Sequence, residues 1–509
     1  MDEMDEMDEM NERDELNKAE GGLARSDAAA DSAAPRSAMS DGAGDTAPQP
    51  MSREEYDAAA LPHISDEGSD DALPHTSDED DEDDDAALLR IAEEEDDTSP
   101  HILPSELYDK IAAMSQMSDD DDDDPMLIAR ELEERLNRED DPDDGKGIFG
   151  GYIRLPAFIL LCVGVLAGVV HLCLSLSTAF SDFMSGTVGA ALRFCLAKLS
   201  GVLPFSLAET LIFMLPVMIV LLFVASNALA AHKRRWWRFF FSLLALISFL
   251  YSLFVFSFVP SYNCTKLEDR LGLDRRDVSA QQLYDTALVL TDDVNSLVDD
   301  ITFTYKDASI MPYGINELSD KICEAYDRFT PAHSFIQSMH TRIKPLAISP
   351  LMTYTHIAGV YAFYTGESNL NTNFPDYTIP YTTAHELAHQ RGIAREDEAN
   401  FVAYLVCMES DDPYIRYSAS VSVLEYVYSA LAQADTDLYN RAVGQLDLHV
   451  IYEMQSYSRF FSKYVENTAA TVSGAVNDTF LKLSGQSAGS KSYGLVVDLA
   501  VAYLCPDSE

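Results

Sequence analysis

The sequence predicts a multi-domain chain in three parts: a disordered acidic arm over residues 1–148, three transmembrane helices within 149–260, and a mainly helical α+β domain over 261–509. Three observations predict it. The net charge of −50, from 85 acidic against 35 basic residues, is concentrated in about the first 145 positions. Residues 149–260 are strongly apolar, and the remainder shows helical periodicity broken by one short stretch with the texture of strands.

The arm opens as the repeat MDEMDEMDEM, uses LPHISDE and LPHTSDE within a dozen residues, and carries an unbroken aspartate run from Asp119 to Asp124. Too few large apolar side chains are present to offset the entropy of ordering such a chain. Two stretches, 105–114 and 125–138, have helical character, with Pro125 suited to a first helical position. The arm reads as a solvated low-complexity segment, or alternatively as a docking segment for a basic partner. Large single-sign negative charge argues against nucleic acid, which requires a basic footprint. An N-terminal secretory signal is not expected, since a positive region followed by an apolar one is missing.

Residues 155–177, 207–230 and 239–259 each supply the roughly 20 apolar residues that a bilayer crossing needs. Pro216 in the second is tolerable where neighbouring helices satisfy the freed carbonyl. The densest basic patch of the chain, HKRRWWR at 232–238, lies between the second and third and brings two tryptophans suited to an interfacial belt. That loop is expected to be cytoplasmic. Three crossings then put the acidic arm in the cytoplasm and everything after the third segment outside, as a multi-pass protein of the cell membrane. Lys146 and Arg154 agree, and the loop 178–205 holds only Arg193 and Lys198.

The third part is long enough to build its own core. Residues 279–301 and INELSDKICEAYDRF have the three- and four-residue apolar spacing of amphipathic helices. Residues 349–380 are rich in Thr, Tyr, Val, Ile and Phe and broken by Gly and Pro, and read as about two strands. Helical pattern then returns from His385, with breaks near 411–413 and 485–489. The seven cysteines show no CxxC or other metal-ligand spacing.

The chemistry-bearing stretch is TTAHELAHQRGIAREDEANFVAY, residues 382–404. His385 and His389 fit H-E-x-x-H: on a helix they share a face one turn apart and can bind one zinc ion, with Glu386 beside them as the base for a metal-bound water. Leu387 and Ala388 are expected in the core, and Thr382 or Thr383 as the N-terminal cap after Pro380. Standing alone, the pair could equally be two histidines on a charged surface helix. A catalytic zinc needs a third protein ligand. Gly392 can end the helix with a positive φ, and a second helix beginning near Arg395 offers Glu396 and Glu398, which lie about 200° apart and so cannot both face the metal. Glu396 shares a face with Asn400. The segment Glu-x-x-Ala-Asn resembles the Glu-x-x-Ala-Asp of glutamate-type zincin peptidases, which implies Glu396 as third ligand and Asn400 as support for a histidine; Glu398 is the second choice. Tyr493, and behind it Arg416, Tyr417 and His356, are candidates to stabilise an oxyanion. YTGESNLN, just before the motif, can form an edge strand that aligns a peptide.

Several blocks in one order, PFSLAE, FYTGESNLNT, HELAHQRG, EDEANFVAYL, RYS and KSYG, together with the three apolar segments, resemble bacterial membrane proteins grouped as a domain of unknown function, family 3810, over roughly residues 150–505. The resemblance implies a zincin-like metallopeptidase of unestablished substrate. The leading expectation is a membrane-anchored zinc metallopeptidase with an unknown extracytoplasmic peptide or protein substrate. The alternative is a non-catalytic envelope protein whose motif helix is structural or binds a partner. Intramembrane proteolysis is disfavoured by the hundred-odd residues between the last apolar segment and the motif.

Overall fold

The computed structural model describes residues 151–227, 235–305, 308–464, 467–484, 486 and 488–506. The acidic arm with its two helical stretches, and residues 232–234 of the basic loop, lie outside the described residues. What is described is mostly helical, with one small sheet.

Three helices are long and apolar enough to cross a membrane: α1 Leu155–Leu176, α3 Leu207–Asn227 and α4 Arg235–Ser257. The short helix α2 Ala190–Ser200 precedes α3. The third span starts four residues earlier than the apolar run alone indicates, so Trp236 and Trp237 belong to the helix, both exposed. Between α1 and α2 the chain runs through a helix Thr178–Met184 and a π-turn Ser185–Gly189. α4 packs along α1 and touches α3.

The longer helices that follow are α5 Ala280–Leu297, α6 Ile315–Phe329, α7 Thr378–Gln390, α8 Glu396–Met408, α9 Pro413–Ala434, α10 Leu448–Phe461, α11 Thr468–Leu483 and α12 Val496–Leu504. α5 begins with a reciprocal cap between Ser279 and Gln282 and buries Leu283, Ala287, Leu290, Val294 and Leu297, its apolar stripe, against α9. α6 spans the predicted INELSDKICEAYDRF. α9 is capped by Asp412 before Pro413 and is buried along most of its length. The sheet has strands β1 Lys344–Pro345, β2 Gly359–Ala362 and β3 Glu367–Leu370 in the order β1-β3-β2, β3 pairing parallel with β1 and antiparallel with β2. Two strands fall where the sequence texture placed them; β1 lies outside that stretch, and residues 378–380 are already helix. The core of this part runs as one apolar cluster from Leu267 to Val501.

Two carboxyls sit inside that core. Glu425 accepts from the Tyr377 hydroxyl at 2.9 Å, and Glu453 from Ser309 and Tyr417. Burial raises Glu425 to about 8 and Glu453 to about 7, from an ordinary 4.5. The native state therefore holds protons that the unfolded chain has released, and their stabilisation, complete below pH 4.5, is lost as pH rises through 7 to 8. The thermal midpoint of the full chain in detergent should fall between pH 5 and 8.5, and E425Q/E453Q should flatten that slope; an unchanged slope in the double variant would contradict the assignment.

Candidate metal and proton-transfer site

α7 starts earlier than a Thr cap implied, at Thr378, so Thr382 and Thr383 are interior rather than capping residues. Pro380 falls in its first turn, where a missing N–H costs nothing, and the next free N–H, of Tyr381, donates to Ser418 Oγ at 3.1 Å. Leu387 and Ala388 are fully buried. The helix ends at Gly392, whose φ of 97° only glycine adopts readily. The chain reverses and α8 begins at Glu396, with Arg395 before it and Gln486 Oε1 accepting from the Glu396 N–H at 3.3 Å.

This reversal brings three side chains to one point. Glu396 Oε2 lies 3.3 Å from His385 Nε2 and 3.3 Å from His389 Nε2, with the two rings nearly perpendicular. All three are buried, and their ligand-type atoms lie within 4.8 Å of one another, close enough to hold a metal ion. The Ile393 carbonyl, 2.8 Å from His389 Nδ1, can only accept, so that nitrogen carries the proton and Nε2 of the neutral ring presents a lone pair. A lone pair facing a carboxylate oxygen at hydrogen-bond distance requires a cation between them, a proton or a metal. Asn400 acts on the His385 ring, although Nδ1 there closes no regular hydrogen bond.

Burial opposes charge on each of these groups, yet the imidazoles, His389 foremost, hold the Glu396 carboxyl down to about 2. Against the same burial, Glu396 lifts His389 to about 9, whereas burial lowers His385. Glu386 is pushed up to about 8 by burial, with His389 opposing and Glu396 adding to the effect. Its side chain lies against β2: a Cβ on Gly359 would stand 2.5 Å from Glu386 Oε1, so a glycine is required there for the carboxylate to fit.

The other sequence candidates are distributed differently. Glu398 turns away from the imidazoles and accepts from Leu267 N at 3.0 Å and Arg395 Nη1 at 2.7 Å, a structural role. Tyr417 is committed to Glu453, and His356 lies near the Tyr464 carbonyl, 3.2 Å away. Tyr493 lies in the 3-10 turn Gly489–Leu495, and its side chain is outside the described residues. YTGESNLN does not form the edge of the sheet, because β3 is the central, fully buried strand; the edge strand beside Glu386 is β2. Sequence reading also missed Tyr262, whose phenol is held protonated by burial and by the nearby Glu396, and Tyr426, which meets Asn400 and feels Glu396.

Tyr262 exposes a larger correction. It closes a short helix, Val259–Tyr262, that follows α4 directly, and Phe258 at that junction meets the His389 ring edge-on at 6.2 Å. The long chain separation between the last span and the motif is thus folded away, and the site abuts the end of α4. Buried Arg193 stitches the junction: it donates to the carbonyls of Ser257 (2.8 Å) and Ser185 (3.0 Å), and a Cβ on Gly392 would sit 2.6 Å from its Nη2. A second junction lies at α3. Its first N–H groups, of Leu207 and Ala208, donate to the Glu367 carboxylate of β3 at 3.2 and 2.8 Å, while Glu209 accepts from Ala347 and Ile348 N–H. Ser206 donates to Asn369 at 2.7 Å. PFSLAE and ESNLN, separate blocks in sequence, are one contact in space.

The chain belongs to the family described as Protein of unknown function (DUF3810), whose model matches residues 187–501. The match starts within the π-turn, later than the roughly 150–505 that the sequence blocks suggested, and takes in α2, α3, α4 and the whole site. No curated protein and no solved structure matches the chain.

Proposed function

We propose that this protein is a membrane-anchored zinc metallopeptidase of the glutamate-ligand, zincin-like type, cleaving peptide bonds of an extracytoplasmic substrate. The observation that carries the reading is the convergence of His385, His389 and Glu396 with Glu386 beside them. In a tetrahedral site, donors about 2.0–2.1 Å from zinc lie about 3.3–3.4 Å from each other. The 3.3 Å between Glu396 Oε2 and each imidazole Nε2 matches that edge. Two imidazoles and one carboxylate are also the ligand chemistry zinc favours when one position is left for water.

Bound zinc would polarise a scissile carbonyl and acidify a water molecule. The chain's own groups do the rest. Glu386, held against Gly359, accepts the proton from the attacking water and delivers it to the leaving amine. The Ile393 carbonyl fixes the His389 tautomer, and Asn400 supports His385. Edge strand β2, with Val360 exposed, offers backbone groups to which a substrate chain can pair. The basic 232–238 loop supports a cytoplasmic N-terminus with the site outside; labelling of a cysteine at that loop by an impermeant reagent from outside would invert this orientation.

Metal analysis of the full chain in detergent tests the reading. One equivalent of zinc should co-purify with the wild type and be lost in H385A and H389A. Absence of zinc from the wild type, with no rise in thermal midpoint on adding it, would overturn the proposal. Zinc retained without any peptide cleavage would favour a structural metal in a non-catalytic envelope protein.

A further inference from the structure

Helix α11 is built inside out. Val472, Val476, Phe480 and Leu483 are 57%, 64%, 41% and 80% exposed, and at 100° per residue they fall within an arc of about 80°. The face turned into the protein carries the buried Gly474 and Leu481, with Ala470 and Asn477 half-buried beside them. A helix facing water on its outer side has the reverse pattern.

The apolar stripe is continuous with a membrane span. The Phe480 ring lies 6.0 Å from that of Phe254, which also meets Phe363 at 4.9 Å. Phe254 belongs to α4 and precedes its last residue by three positions, about 4.5 Å along the helix axis. Phe480 thus meets the last turn of a membrane-crossing helix, the level at which an interfacial helix seats its apolar face, about 5–10 Å into the boundary. Near the start of α3, at the same end of the spans as the site, Leu199, Val202 and Phe205 are likewise exposed. After α11 the chain reaches Gln486, which bonds the backbone of the ligand residue Glu396, and Ser484 pairs with Tyr262.

We propose that α11 lies in the bilayer interface, its Val472–Val476–Phe480–Leu483 stripe seated among lipid, so that the membrane surface forms one wall beside the metal site. The partner is lipid, and the inference does not depend on zinc or on catalysis. The unmodified full chain in phosphatidylcholine–phosphatidylglycerol vesicles tests it with a carbene precursor dissolved in the bilayer. The peptide 468–483 should be labelled to within a few-fold of the α4 peptide; labelling at the background of α5 would overturn the proposal. Position within the helix is read with single tryptophans, V476W and L483W, in a W236F/W237F chain carrying Y305W separately as the water-exposed reference. Emission from 476 and 483 should be quenched several-fold more than from 305 by a shallow spin-labelled lipid, and several-fold less by iodide. Iodide quenching equal to that at 305 overturns the proposal. So does protection from both quenchers, which would mean a protein surface, such as a second copy, covers the stripe.

Discussion

Replacing Glu386 with glutamine should lower peptide hydrolysis by about 10²–10⁴-fold while leaving the metal content unchanged. Glutamine keeps the shape that fits against Gly359 but cannot take a proton, so binding and chemistry separate. His385, His389 and Glu396 are the three side chains close enough to hold a metal ion, and Glu386 is not among them. The same assay distinguishes Tyr262: Y262F should cost about 10²–10³-fold in kcat if its hydroxyl donates to the oxyanion, and almost nothing if it only packs. Equal turnover of a peptide library by E386Q and wild type would remove Glu386 from the chemistry.

Glu367→Ala should destabilise the folded chain by about 3–5 kcal/mol, the cost of stripping one partner from a buried ion pair. Glu367 is 2% exposed. Its carboxylate takes the first N–H groups of α3 and lies 3.8 Å from Lys344 Nζ. Lys344 is itself buried and is turned into the carbonyls of Ser200, Leu203 and Phe205, burial lowering its pKa while Glu367 opposes that. The alanine variant leaves a helix terminus and a buried ammonium without their counter-charge. E367Q, which still accepts a hydrogen bond, should fall between. A thermal midpoint within about 2 °C of wild type, against about 2–4 °C per kcal/mol for a domain of this size, would show the contact to be dispensable.

What was legible in the sequence was local. The spans, α5 and α6 announce themselves because their signal is a run or a 3.6-residue period carried by adjacent residues. The Gly392 turn and the Glu396 face could be placed because 385–400 is short and every step in it is a backbone rule. What the sequence concealed depends on neighbours distant along the chain. Thr378 starts α7 because Tyr381 N finds Ser418. Gly359 matters only because Glu386 leans on it, and Glu398 is unavailable only because Leu267 and Arg395 take it. Chain separation gave the wrong impression of how far the motif stands from α4, since Phe258 and Tyr262 lead straight into it. The outward apolar face of α11 has the same periodicity as an inward one, so no pattern of residues could say which way it points.

The seat of β3 on the first turn of α3 has a consequence for selectivity. A domain on a flexible tether sweeps a volume and meets bonds at many heights. Here a carboxylate, an ammonium and a serine fasten the sheet to the start of α3, a helix long and apolar enough to cross a membrane, and the edge strand beside Glu386 shares that sheet, so the candidate site is held at one fixed distance from that helix end. Under the proposed function, a peptidase mounted in this way would sort its substrates by the distance of the scissile bond from the bilayer before it read any side chain, with the membrane surface serving as the ruler.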